Sequence, residues 1–240
     1  MTSFVQISRD AHGLPSDTFT PEPKHSIPTS SDVNEVFEGV LHALAVKATG
    51  AEPVFAQTMF NRSARADVPL RIDKQEVDGL HVVHLLQDDV VCTQSIIGTS
   101  DLPEPDAGEV LPTEVVPFRE VPEQWGWDTE GTLFEHMQGA FRKHHALMWF
   151  EGHEMDTAAV ATLCGFMSIQ LIRSAGQYGH TKTMTSHFTT RQPFEKSFIK
   201  HQIEGAGRGV LFTRLDQYNE RGFPVCFTRM TTKLTGTTLL

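Results

Sequence analysis

The sequence is poor in the residues that mark several common classes of protein. It contains three cysteines in 240 residues (Cys92, Cys164 and Cys226), too few and too widely spaced for a disulfide framework or a zinc site. No apolar run approaches the roughly 18 residues of a membrane-spanning helix. The N-terminus also lacks the apolar core behind a basic start that is typical of a secretory signal. We therefore expect a cytoplasmic protein of a reducing compartment, with no membrane partner.

Basic residues are outnumbered by acidic ones, 20 against 30, so the formal net charge is −10. Nucleic-acid binding needs a basic surface, and the charge therefore argues against a nucleic-acid partner. The hydrophobic fraction of 39% is ordinary for a globular protein and excludes a mostly disordered or collagen-like chain. The length suits one large domain or two of ordinary size.

Most of the acidic excess lies in one segment, residues 101–130. This segment holds nine acidic residues, a single basic residue (Arg119) and five prolines. Proline removes backbone donors and interrupts helices, which indicates an extended connection between two halves of the chain. The predicted organisation is an N-terminal extension (1–30), a first unit (31–100), the acidic linker (101–130) and a second unit (131–240).

The two units share one predicted order of elements. In the first, Ser31 or Asp32 is a suitable N-cap for a helix over 33–49 with one apolar stripe. In the second, Asp156 caps a helix over 157–175 that is apolar nearly all round, as in a helix buried on most sides. Four β-rich runs follow each helix: 53–62, 69–77, 80–87 and 90–98 in the first unit, and 181–192, 197–205, 208–217 and 223–234 in the second.

Turn residues separate these runs. Asp78-Gly79 and Asp88-Asp89 suit tight turns in the first unit, and residues 219–222 suit a hairpin turn in the second. Shifting one unit on the other by 128 residues aligns Phe60 with Phe188 and Val82 with Val210. A helix followed by four antiparallel strands, twice, predicts an α+β double hot dog, in which each curved sheet wraps a long helix. Two unrelated α+β domains are the alternative.

The second unit resembles a known family. It carries a helix rich in Ala and Leu, a strand ending at Phe188, the run Gly205–Gly209 and the strand start at Pro224. With these features, residues 149–234 resemble the C-terminal half of type II acyl-CoA thioesterases and of the wider thioesterase-like superfamily. Residues 39–98 resemble the N-terminal repeat of that family more loosely. The resemblance implies the double hot-dog fold and acyl thioesters as substrates.

The catalytic residues of that family do not carry over. Its bacterial members use an Asp, a Thr or Ser, and a Gln to position and activate water. The matching positions here hold Thr183, a residue on or near Gln202, and a residue near Met230. Without the carboxylate no obvious base activates water, so the resemblance in fold does not establish the activity. We take these three positions as candidates for the site.

Histidine supplies other candidates, because the chain has 12 of them and the side chain titrates near neutral pH. Strand alternation puts Thr183, Thr185 and His187 on one face, which either meets solvent or lines a cleft between the repeats. His201 and Glu204, three apart on the next strand, lie on opposite faces unless a bulge intervenes. We predict catalytic roles for His187, His201 and Thr183, and substrate contacts for Thr185, Gln202, Glu204 and Met230.

A second constellation lies at the start of the second helix, where His153 precedes Asp156. Hot-dog dehydratases use a His and an Asp as the acid and the base, so Asp156 is a further catalytic candidate beside its role as an N-cap. The pair His144-His145 has no Cys or carboxylate at ligand spacing, so we predict no metal site. No cofactor is predicted.

The run Gly205–Gly209 either brings backbone amides to a carbonyl or phosphate or forms a bulge that curves the sheet. Residues 181–235 carry a net charge of +5 from nine bases and four acids. Such a surface suits the phosphates of coenzyme A or of a carrier-protein arm, although scattered charge is the commoner explanation. We include Gly207 and Arg208 among the predicted substrate contacts.

Two classes of function follow. The first is a thioesterase-like enzyme on an acyl-CoA, acyl-carrier or polyketide-derived substrate in biosynthesis, working by histidine-assisted acid–base chemistry. Dehydration, isomerisation or cyclisation of a secondary-metabolite intermediate on the same fold is the alternative reaction. The second class is an inert binding protein that keeps the cavity without the chemistry. We expect a monomer or a homodimer, because a double hot dog pairs two units within one chain.

Overall fold

The computed structural model describes residues 17–26, 34–99, 116–117, 137–142, 145–150, 155–174, 177–189 and 194–237. In these ranges the chain forms two α-helices, α1 (Glu38–Ala48) and α2 (Thr157–Ser174). The strands are β1 (Thr18–Phe19), β2 (Phe55–Phe60), β3 (Leu70–Val77), β4 (Leu80–Gln87), β5 (Val90–Gly98), β6 (Val116–Pro117), β7 (Met137–Arg142), β8 (His145–Phe150), β9 (Gln177–Phe188), β10 (Ser197–Gly207), β11 (Val210–Tyr218) and β12 (Pro224–Thr237).

All of these strands belong to one antiparallel sheet, in the order β1-β3-β4-β5-β2-β9-β12-β11-β10-β8-β7-β6. The two repeats join where β2 pairs with β9, from Phe55 opposite His187 to Met59 opposite Thr183. In each repeat the strand that follows the helix lies at the centre of the sheet, and the later strands extend outward from it. The predicted α+β double hot dog is confirmed.

The sheet is larger than the predicted four strands per repeat. Strands β8 and β7 extend the second repeat beyond β10, through the pairing of Ser197–Lys200 with His145–Met148. Strand β6 comes from the acidic segment predicted to be only a linker, and it pairs with Phe141 and Ala140. At the opposite edge, β1 from the N-terminal extension pairs with Leu70 and Arg71.

The start of the first helix was predicted too early. Ser31 and Asp32 lie outside the described residues, and α1 begins at Glu38 with Phe37 in the N-cap position. The reason is tertiary, because the Val36 N–H donates to the carbonyl of Ala64 and the Phe37 N–H to that of His25. The predicted single apolar stripe was also wrong, since every residue from 39 to 46 is buried.

The predicted second helix is confirmed. Asp156 caps it by accepting a 2.8 Å hydrogen bond from the Ala159 N–H, and all residues from 158 to 165 are buried. The predicted turns are confirmed as well. Asp78, Asp88 and Asp89 take positive φ values of 52°, 51° and 58°, a conformation that Asp tolerates better than most residues.

The two helices cross at a pair of glycines. A Cβ atom on Gly39 would lie 2.5 Å from the carbonyl oxygen of Thr162, and one on Gly165 would lie 3.0 Å from the backbone of Gly39. Both distances are below van der Waals contact with backbone atoms that cannot rotate away. The absence of side chains at these two positions therefore permits the helices to pack inside one sheet.

Polar side chains connect the two repeats beside this crossing. His42 on α1 lies 2.8 Å (Nδ1) from the Thr58 hydroxyl on β2 and 3.1 Å (Nε2) from the Ser186 hydroxyl on β9. The Ser186 hydroxyl is 2.9 Å from that of Thr228, which is 3.0 Å from the thiol of Cys164 on α2. All five side chains are fully buried, so their hydrogen bonds replace those lost to water.

Replacing Gly39 with Ala should destabilise the protein by about 2 kcal/mol or more, despite the higher helix propensity of Ala, because the added methyl overlaps backbone. Equilibrium urea unfolding measures the change. Gly207→Ala is the matched control, since a Cβ at that position meets nothing within 4 Å. Equal stabilities for the two variants would contradict the tight crossing.

Burial lowers the pKa of His42 to about 4. In the unfolded chain this imidazole binds a proton below about pH 6.5, whereas in the folded protein it does so only near pH 4. Stability is therefore fully present above pH 6.5 and falls as the pH drops toward 4, by up to about 3 kcal/mol from this residue. We expect His42→Gln to be less stable at pH 7 but to lose less stability between pH 6.5 and 4.5.

Urea unfolding at several pH values tests this expectation. His187→Gln, a change of the same kind at an exposed position, is the matched control. A pH dependence that is as steep in His42→Gln as in the wild type would show that His42 is not the buried neutral group.

Candidate active site

A cavity of about 130 Å³ lies at the N-terminus of α1, between the two repeats. The first repeat supplies residues from the start of α1 and from the end of β2, and the second repeat supplies three consecutive residues of β9. The lining consists of Glu35, Val36, Glu38, Leu41, Phe60, Arg62, Ser63, His180, Thr181 and Lys182. From the sequence, the polar face of β9 either meets solvent or lines a cleft between the repeats. The cavity lies at the second of these two locations.

The cavity has an apolar inner end and a polar mouth. Val36, Leu41 and Phe60 are buried in the hydrophobic core. Arg62 and Lys182 are exposed and carry positive charge to the opening. The guanidinium of Arg62 is held in place by its hydrogen bond to the Gln87 carbonyl at 2.7 Å. A small molecule with an apolar end and a polar or anionic remainder matches this division.

Glu38 is the titratable group with the most perturbed pKa in this lining. The residue is partly exposed, but burial of its carboxyl group raises the pKa to about 7, and the nearby charge of Glu35 adds to the increase. Backbone N–H groups of Glu38 and Thr181 and the charge of Lys182 act in the opposite direction and are weaker. A carboxyl group with a pKa near 7 is suited to take up and release a proton at neutral pH.

An imidazole lies in the same cavity. His180 Nδ1 is 3.7 Å from Glu35 Oε1, and the His180 side chain is 43% exposed against 19% for Glu35. The carboxylate of Glu35 therefore faces both the imidazole and the buried carboxyl of Glu38. Together these three groups can hold a proton donor and a proton acceptor around one small ligand.

The predicted candidates on β9 lie elsewhere. Met184, Ser186 and Phe188 are buried and face the helices, so Thr183, Thr185 and His187 occupy the opposite, outer face of the sheet. His187 is exposed, and its ring lies 5.2 Å from that of Phe55. This face therefore lies on the outside of the sheet and does not line the cavity between the repeats.

The candidates on β10 are divided between the two faces of the sheet. His201 is buried on the inner face, opposite Leu215 of β11. Gln202 and Glu204 are exposed, and Glu204 forms an ion pair of 3.2 Å with Arg229 on β12. The separation of His201 from Glu204 matches the alternation expected from the sequence.

The remaining candidates have structural positions. Gly207 is exposed beside the turn at Arg208-Gly209, where both residues take positive φ (51° and 72°), and the strand pairing shifts between Ile203 and Gly205. Met230 is buried in the core. Asp156 accepts the N-cap hydrogen bond of α2 and forms an ion pair of 3.2 Å with Lys47, and His153 lies outside the described residues.

None of the ten predicted site residues lines the cavity at α1, so their functional roles stay predictions. Sequence reasoning missed Glu38. The available signal was an acidic residue next to Gly39 at the start of a helix in which His42 is the only other polar residue before Lys47. That signal carries little weight alone, because an acidic residue in a first helical turn is ordinarily a favourable partner of the helix dipole.

Within the described residues, no group of three or more His, Cys, Asp or Glu side chains is placed to hold a metal ion. Over the same part of the chain, no helix combines the length and the hydropathy needed to cross a membrane. All three cysteines are buried and free of disulfides.

Comparison with known proteins identifies the fold. No protein-family model and no curated protein matches the chain. A proposed thioesterase from Novosphingobium aromaticivorans DSM 12444 matches at a TM-score of 0.75 and 16% identity, over 91% of this chain and 95% of that one. A hot-dog protein of unknown function from Alicyclobacillus acidocaldarius matches at 0.70 and 15%, over 92% and 93%.

A third match is a trans-AT polyketide synthase dehydratase domain from Brevibacillus brevis, at a TM-score of 0.60 and 12% identity, over 91% of this chain and 92% of that domain. The predicted structural resemblance to thioesterases of the double hot-dog type is confirmed. At such low identities these likenesses show the fold alone.

The buried carboxyl of Glu38 has a measurable consequence for stability. Its pKa of about 7 in the folded protein exceeds the ordinary value of 4.5, so the folded state binds more protons between these values. Stability from this group is fully present below pH 4.5 and is lost as the pH rises through 7. We expect Glu38→Gln to be more stable than the wild type at pH 8, by about 1–3 kcal/mol, with a smaller difference at pH 5.

Urea unfolding at pH 5 and pH 8 measures both differences. Glu76→Gln, the same change at an exposed position on β3, should alter stability equally little at the two values. A Glu38→Gln variant that is less stable than the wild type at pH 8 would show that burial does not disfavour the ionised Glu38 carboxylate in the folded protein.

Proposed function

We propose that this protein is a hot-dog enzyme that hydrolyses small acyl thioesters, with Glu38 as the general base. The observation that supports the proposal is the carboxyl group with a pKa of about 7 in a cavity between the two repeats. A base is most effective when its pKa lies near the working pH. The base that the predicted family positions lack is thus supplied from the first helix.

The proposed reaction begins with a water molecule beside the Glu38 carboxylate. The carboxylate accepts a proton as the water oxygen bonds to the thioester carbonyl carbon, and the carbonyl electron pair moves to its oxygen. The carbon–sulfur bond then breaks, and Glu38 returns the proton to the departing thiolate. One thioester and one water give one carboxylic acid and one thiol, and the enzyme is unchanged.

The other cavity residues have supporting roles in this proposal. The ammonium of Lys182 and the guanidinium of Arg62 carry positive charge at the mouth, which favours an anionic portion of the substrate and the negative charge that develops on the carbonyl oxygen. Burial is the main cause of the raised pKa of Glu38, and the charge of Glu35 adds to it through the repulsion of the two carboxylates.

Dehydration of a 3-hydroxyacyl thioester is the second candidate reaction. The observation in its favour is that a carboxyl group, Glu38, and an imidazole, His180, line one cavity. Loss of water needs a base that removes the α-proton and an acid that protonates the β-hydroxyl. In this reaction Glu38 removes the α-proton, and His180 donates a proton to the leaving hydroxyl.

Incubation of the protein with acyl-CoA esters of two to twelve carbons, with free thiol followed over time, tests the hydrolase. We expect thiol release by the wild type and a kcat lower by about 10²–10⁴-fold in Glu38→Gln, because the amide cannot accept a proton. For the wild type, kcat should rise with pH through about 7 and then level off, as the pKa of Glu38 requires.

Glu76→Gln is the control variant and should retain the wild-type kcat. Equal kcat in Glu38→Gln and the wild type would contradict the role of Glu38. Absence of thiol release, with formation of the α,β-unsaturated product from a 3-hydroxyacyl-CoA, would replace hydrolysis with dehydration. Absence of both products would contradict both reactions and support the alternative of a binding protein without catalytic activity.

A further inference from the structure

We infer that the cavity beside Glu38 selects short acyl groups of about four to six non-hydrogen atoms and excludes long fatty-acyl chains. This inference rests on the proposed function, since it names the substrate class of the same site. Its first observation is volume. The cavity measures about 130 Å³, and an apolar cavity of about 150 Å³ is known to hold one benzene, which has six carbons.

The second observation is the arrangement of the cavity walls. Phe60, which is 7% exposed, and Leu41 and Val36, each 1% exposed, belong to the hydrophobic core and close the inner end. Exposed and charged side chains border the other end. An acyl chain that enters from the polar side therefore meets these buried apolar side chains with its tail.

The third observation is the position of the carboxyl group relative to this wall. Leu41 follows Glu38 by three residues on α1, so the two side chains lie on neighbouring positions of one helix face. A thioester carbonyl next to Glu38 thus places the acyl chain toward Leu41 and Phe60. The number of carbons between the carbonyl and this wall is what the cavity volume limits.

The wall is fixed by the fold rather than by surface side chains. Phe60 is the last residue of β2, pairs with Thr93 of β5 and packs in the core cluster that includes α1. A longer chain would have to displace these buried groups, which costs packing that the interior cannot recover elsewhere. We expect affinity to increase by about fourfold per methylene until the cavity is full and to fall for longer chains, because these must displace the buried wall.

Binding of hydrolysis-resistant S-alkyl-coenzyme A thioethers tests the inference without requiring turnover. The probes carry ethyl, butyl, hexyl and decyl groups, and isothermal titration calorimetry gives their Kd values for the wild type. The expected result is a steep gain from ethyl to butyl and a decyl thioether that binds at least tenfold more weakly than the best probe. Affinity that keeps rising through decyl, or no binding of any probe, would overturn the inference.

Variants at the inner wall provide the second measurement. Phe60→Leu and Phe60→Ala enlarge the cavity, and the best-bound chain should lengthen in that order. Phe60→Ala removes a large core side chain and is expected to lower the stability strongly. Phe60→Leu is therefore included as the milder change, and thermal unfolding identifies which variants are folded. Phe212→Ala, at an exposed apolar position on β11, is the control and should keep the wild-type preference.

The same preference in the wild type and in a folded Phe60→Leu or Phe60→Ala protein would overturn the assignment of Phe60 as the limiting wall. Failure of the proposed hydrolysis has a different signature. No thiol release from any acyl-CoA, together with a chain-length optimum in thioether binding, would reject the reaction and support the cavity as a short-acyl site.

Discussion

The crossing of α1 and α2 at Gly39 and Gly165 is the contact on which the rest of the described structure depends. Because neither position carries a side chain, the helix backbones approach to a distance at which a Cβ on Gly39 would lie 2.5 Å from the Thr162 carbonyl oxygen. Two helices this close can share one enclosing sheet, and the central strands β2 and β9 then become neighbours. The cavity exists because this arrangement places the start of α1 against a strand of the other repeat.

The close approach of the two helices also buries polar side chains, which then need hydrogen-bond partners inside the protein. His42, Thr58, Ser186, Thr228 and Cys164 meet this requirement by bonding to one another across the repeat boundary. Glu38 lies one turn before His42, and the environment of its carboxyl group is different. Its burial raises the pKa to about 7, whereas its backbone hydrogen bonds compensate only in part. The structure thus contains a buried carboxyl group with a raised pKa, and strongly perturbed pKa values cluster at functional sites.

The sequence predicted correctly the features that are determined by residues close together in the chain, namely a helix N-cap and the tight turns. Asp156 was a recognisable N-cap, and the turns at Asp78-Gly79 and Asp88-Asp89 follow from residues that tolerate positive φ. The start of α1 was missed because the N–H groups of Val36 and Phe37 bond to distant carbonyls. Strands β7 and β8 were missed because their place in the sheet depends on the edge of β10. Glu38 was missed for a related reason, since its pKa depends on burial against β9.

Comparison of the two helix N-termini explains why chemistry is expected at one and not at the other. At α2, the Asp156 carboxylate caps the helix and meets Lys47 of α1 at 3.2 Å, and the Thr157 hydroxyl donates to Glu52 at 2.8 Å. Both of these acids therefore accept a hydrogen bond from a side chain or the backbone of α2. At α1, Phe37 stands at the N-cap without a side-chain hydrogen bond. The neighbouring carboxyl of Glu38 is buried, and both an acid, Glu35, and a base, Lys182, act on it through their charges.

The acidic groups at the starts of the two helices therefore lie in different surroundings. The Asp156 carboxylate, paired with the ammonium of Lys47, stabilises the start of the second helix. The Glu38 carboxyl is held away from water and near another carboxylate. Its pKa is therefore raised to about 7, and it can exchange a proton at neutral pH. The start of α2 thus carries a carboxylate with a structural partner, whereas the start of α1 carries the buried carboxyl group to which the proposed reaction assigns proton transfer.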